Sequence, residues 1–82
     1  MAKTFHLTIA KVSENLFDGE VVSVSLPGVE GIFEVLAEHE AFVSPLTQGE
    51  ARVKTAEGES LSFEIPLGGI AEVSHNQATI LI

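Results

Sequence analysis

The sequence predicts an all-β domain, a small two-sheet β-sandwich or flattened barrel built from short, mostly antiparallel strands. Apolar residues recur with a period of two, which turns one side of each segment inward and the other toward water. Gly, Pro, Asn and Asp interrupt these runs every few residues, and no segment of about ten residues keeps the helical period. Roughly six to ten such strands in one open sheet would leave an apolar face wet, so two layers must close on each other.

Phe5, Leu7 and Ile9 alternate with His6, Thr8 and Ala10 in the first strand. Ser13 to Glu20 follows as a connecting segment, in which Asp18-Gly19 marks a turn and Leu16-Phe17 supplies apolar anchors. Next, Val22, Val24 and Leu26 face one way and Ser23 and Ser25 the other. Gly28-Val29-Glu30-Gly31 and Gly68-Gly69 read as turns and close backbone approaches.

Ala51 to Thr55 and Leu61 to Ile65 flank the loop Ala56-Glu57-Gly58-Glu59-Ser60 and form the clearest hairpin. Pairing Val53 with Phe63 places Ala51 opposite Ile65 and Arg52 opposite Glu64, which satisfies the core face and a cross-strand ion pair together. The last hairpin runs from Ile70 to Ser74 and from Ala78 to Ile82 around His75-Asn76-Gln77, Asn being suited to a left-handed turn position. With Ala71, Val73 and Ile80 inward, Ile70 and Leu81 point outward, and either a partner or another segment of the chain covers them.

A chain of 82 residues makes one domain, expected to span residues 1–82, with a core of modest size. Cysteine is absent, so Phe, Val, Leu and Ile carry the stability, each contributing roughly 1.5–3 kcal/mol when fully buried. Twelve acidic against four basic residues give a net charge of −8, which repels phosphate backbones and excludes nucleic acid as a partner. The apolar runs fall far short of the ~20 residues that span a bilayer, and Met1-Ala2-Lys3-Thr4-Phe5 has no signal-peptide core. His6, His39 and His75 form no close ligand pair, and Glu38-His39-Glu40 reads as a solvated loop. No Gly-x-Ser-x-Gly or Cys-His pattern supports nucleophilic catalysis, and neither glycine cluster precedes a helix or a P-loop lysine. No catalytic residue, metal, cofactor or small-molecule substrate is expected.

One combination is more specific. Pro27-Gly28, Gly31, Phe33, Val35-Leu36 and His39 occur in order, preceded by Leu16-Phe17-Asp18-Gly19 and followed by Gly49, Gly68-Gly69-Ile70, Glu72-Val73, Asn76 and Thr79-Ile80-Leu81. In this order and spacing the chain resembles, from about Phe5 to Ile82, the amino-terminal β-sandwich of the epsilon subunit of F-type ATP synthases. It departs from that pattern at Glu34, where glycine is usual, at Ala37-Glu38 in place of Pro-Gly, and at Ala41 in place of proline.

The resemblance implies a non-catalytic central-stalk component that joins the gamma shaft to the membrane c-ring and couples proton-driven rotation to ATP synthesis. It implies a peripheral location at the cytoplasmic face of the cell membrane, reached through the complex. Glu30, Gly31, Glu38 and His39 are then expected against the c-ring, and Lys11, Val12, Phe42, Ser44, Ile70 and Leu81 against gamma. Family members continue into two carboxy-terminal helices that brake ATP hydrolysis; with none in this sequence, coupling without that inhibition is expected. A free-standing β-sandwich binding module or adaptor is the alternative.

Overall fold

The computed structural model describes residues 3–38 and 40–82. Its strands are β1 (Phe5–Lys11), β2 (Glu14–Gly28), β3 (Gly31–Leu36), β4 (Phe42–Pro45), β5 (Gly49–Thr55), β6 (Ser60–Ile65), β7 (Ile70–Ser74) and β8 (Gln77–Leu81). Hydrogen bonds join them in the order β4-β7-β8-β1-β2-β5-β6, with β3 also on β2. Every pairing is antiparallel except β1 with β8.

The long strand β2 makes two layers from this one sheet. Its first half pairs with β1, completing a layer of β4, β7, β8 and β1, and its second half pairs with β3 and β5. Aromatic edges close the two open sides: Phe33 of β3 meets Phe42 of β4 at 5.5 Å, and Phe17 of β2 meets Phe63 of β6 at 5.9 Å, both edge to face. Between the layers lies one apolar cluster that includes Phe5, Leu7, Ile9, Val24, Leu26, Val35, Val53, Ile65 and Ile80. The alternation read from the sequence in β1 is the burial pattern observed.

Three local expectations are corrected. Asp18-Gly19 is not a turn, because both residues lie inside β2 opposite Thr8 and Leu7; the reversal follows directly on the end of β1, at Val12-Ser13. Val22 does not share the inward face: the ladder to β5 skips it between Val21 and Ser23, and Val21 is buried instead. A bulge of this kind sits naturally where a strand bends from one layer into the other. The central hairpin is shifted by two residues, pairing Val53 with Leu61, Ala51 with Phe63 and Arg52 with Ser62. Its loop is tighter than the five residues expected, because Thr55 and Glu59 already bond through Thr55 N–H to Glu59 C=O at 2.9 Å, with Glu59 N–H donating to Thr55 Oγ1 at 3.0 Å. A two-residue slip keeps every side chain on its face, but Arg52 now pairs with its strand neighbour Glu50 at 2.9 Å instead of Glu64.

Candidate protein-binding surfaces

The registers of the outer layer build its exposed face row by row. Ile70 lies beside Pro45 and Leu81, and Leu81 beside Ala10, so one apolar row crosses β4, β7, β8 and β1. The next row, in the same order, is Val43, Glu72, Thr79, Thr8 and Asp18. Ile70 is 38% exposed, Leu81 51% and Val43 60%. Ile70 and Leu81 thus face outward, as the alternation predicts, and remain partly exposed among the described residues.

The third row holds Ser74, Gln77, His6 and Glu20. The imidazole of His6 lies between two carboxylates, with Nδ1 3.0 Å from Glu20 and Nε2 against Asp18. Hydrogen bonding to Glu20, then to Asp18, raises its pKa above the usual value. This cluster was not legible in the sequence, since it needs the β1–β2 register.

The sequence-nominated residues divide between the two ends of the sandwich. Val29-Glu30 forms the β2–β3 turn, entered from Gly28 and left through Gly31 at φ 131°. Val29 N–H reaches Pro45 C=O at 3.4 Å, and Lys11 and Val12 cap β1 at this same end. Lys11 is paired with Glu14 at 3.7 Å, and Val12 is fully exposed at the turn. Val29 (56% exposed) and Ile32 (79%) add an apolar rim to a groove of about 480 Å³ that also includes Glu30, Gly31 and Val43.

Glu38 lies at the opposite end, beyond the far terminus of β3, where its N–H donates to Asn76 of the β7–β8 turn at 2.7 Å and its carboxylate meets Lys3 at 3.1 Å. Five residue steps along β3 alone separate the two ends by ~17 Å. The structure therefore does not bring Glu38 together with Glu30 and Gly31. His39 lies outside the described residues.

Phe42 and Ser44 alternate along β4 with the exposed Val43 and Pro45; both are half-buried opposite Val73 and Ala71, with Phe42 packed on Phe33 and Ser44 lining the groove beside Glu30. The strand period could have found Val43 and Pro45, had the start of β4 been fixed by its pairing to β7.

Among the described residues no group of three or more His, Cys, Asp or Glu is arranged to hold a metal, and no helix is long and apolar enough to cross a membrane. The exposed apolar row on a closed β-sandwich is the feature of this surface that most resembles a contact site.

Residues 4–82 match the family model described as the β-sandwich domain of the ATP synthase delta/epsilon chain, and the chain belongs to that family. It is 42% identical over 81 residues to ATP synthase epsilon chain 1 of Methylococcus capsulatus, covering 99% of this chain and 57% of that one. With the epsilon chain of Chlorobium limicola it shares 37% identity over 79 residues, covering 96% and 89% respectively. The chain thus spans little more than half the length of some curated relatives and most of another. A solved Euglena gracilis mitochondrial ATP synthase assembly that includes the c-ring contains a chain with a TM-score of 0.87 and 28% identity, covering 95% of this chain and 49% of that one. The epsilon chain is an accessory, non-catalytic subunit of ATP synthase.

Proposed function

We propose that this domain is the coupling piece of an ATP synthase central stalk, holding the gamma shaft on its outer layer and the c-ring at its Glu30 end. The observation that carries this reading is the exposed apolar row Pro45, Ile70, Leu81 and Ala10 in a member of the epsilon family. A shaft helix lying along this face would cover Ile70, Leu81 and Val43 and run on toward the Glu38 loop.

The ring is assigned to the Glu30 end because Glu30 and Gly31 share a groove there with the exposed Val29 and Ile32. One flat ring surface cannot meet both ends of the sandwich, so Glu38 is assigned to the shaft side. Packed interiors deform little under load, so such a domain passes torque from proton-driven ring rotation to the shaft. The complex then holds it at the cytoplasmic face of the membrane.

Binding of the purified domain to isolated c-ring and to gamma tests the assignment. Glu30→Lys should weaken ring binding and spare gamma, while Glu38→Lys should do the reverse. If neither partner is retained by the unaltered domain, the adaptor reading replaces this one.

A further inference from the structure

We propose that Asn76 is a positioning residue that presets the Glu38 loop for partner contact; the inference rests on the reading that this loop meets the shaft. The β7–β8 turn has two central residues, both left-handed, His75 at φ 45° and Asn76 at φ 60°. Turn geometry alone would be met equally well by glycine. It does not explain what the Asn76 side chain does.

The carboxamide offers an acceptor and two donors, and both kinds are used across the chain. Oδ1 accepts the Glu38 N–H at 2.7 Å, and Nδ2 donates to the Thr4 carbonyl at 2.8 Å. These partners fix the orientation of the amide, since a flipped group would set acceptor against carbonyl and donor against N–H. One side chain thereby ties the segment before β1, the β3–β4 connection and the β7–β8 turn.

Glu38 requires such a hold. It has φ 63°, a left-handed conformation that a residue with a Cβ adopts only at a cost. Its ion pair with Lys3 joins side chains 64% and 72% exposed, and a pair so solvated restrains the backbone weakly. The Asn76 bond acts on the backbone of Glu38 directly, at the point where the chain leaves β3 for β4. Conformational freedom at this point would have to be lost on docking; Asn76 removes it beforehand.

Two substitutions separate positioning from turn formation. Asn76→Gly keeps the left-handed turn and loses both side-chain bonds, whereas Asn76→Asp keeps an acceptor, now charged, for Glu38 N–H and exchanges the donor to Thr4 for an oxygen that must turn away from the Thr4 carbonyl. Amide hydrogen exchange at Glu38 in the free domain should speed up about tenfold in Asn76→Gly and stay within about threefold in Asn76→Asp. Affinity for gamma should fall about fivefold in the glycine variant and be largely kept in the aspartate variant. Unchanged exchange in Asn76→Gly would overturn the clamp, and faster exchange with unchanged affinity would overturn the positioning role. A Glu38→Lys variant that binds gamma normally would instead refute the shaft assignment of the loop, a failure distinguishable from the other two.

Discussion

Replacing Leu81 by aspartate should damage partner binding far more than folding, and the structure sets the scale of both effects. Full burial of a leucine contributes roughly 1.5–3 kcal/mol, and Leu81 is 51% exposed, so about half of that is realised within the domain. The free domain should lose about 1 kcal/mol, a fall in melting temperature of roughly 4–8 °C for a chain of this size. The other half becomes available when gamma covers the row. Losing it and desolvating a carboxylate in its place together cost about 2–4 kcal/mol, roughly a 30- to 700-fold loss of affinity. Calorimetric titration of gamma into the domain, paired with thermal unfolding of the domain alone, measures both. Unchanged affinity with the modest melting shift would refute the assignment of this row to gamma; a melting shift of several tens of degrees would place Leu81 in the core.

The other perturbations address the scaffold. Leu7→Ala removes a fully buried side chain and should cost about 2–5 kcal/mol, read as a lower urea midpoint. Gly28→Ala puts a Cβ 2.8 Å from Gly31 O and 2.9 Å from the Phe33 ring; it should destabilise by about 1–3 kcal/mol and shift the Gly31 and Phe33 resonances. His6 has a raised folded-state pKa, so its contribution to stability is complete below the unfolded value of about 6.5 and is lost as pH rises through the folded value. Urea midpoints should therefore decline across that window in the native chain, by a small amount because the ring is solvated, and His6→Gln should flatten the decline.

What was legible in the sequence is what a period of two controls. The inward faces of Phe5, Leu7 and Ile9 and of Ala71, Val73 and Ile80 follow from alternation, as does the outward pair Ile70 and Leu81. Where the period breaks, the reading fails: the bulge at Val22 moves the buried position to Val21, and Asp18-Gly19, a turn signal in isolation, is overridden by pairing to β1. The central hairpin kept its faces but slipped its register, since a three-residue and a five-residue loop preserve the same alternation.

The candidate surfaces were legible in part. The outward direction of Ile70 and Leu81 needed only one hairpin, while the half-buried setting of Phe42 and Ser44 depends on where β4 begins, which nothing local fixes. Glu30 and Glu38 look like neighbours in sequence, yet an extended β3 carries them to opposite ends. The Asn76 bonds to Thr4 and Glu38 span 72 and 38 residues, and no sequence period reports a contact of that kind.

Photocrosslinking within the assembled synthase tests the central claim most directly, with the reactive side chain placed in turn at Glu30 and at Leu81. Adducts to the c-ring from position 30 and to gamma from position 81 are the expected result. Both positions labelling the same partner, or position 81 labelling the ring, would contradict a domain that joins shaft to ring through separate surfaces.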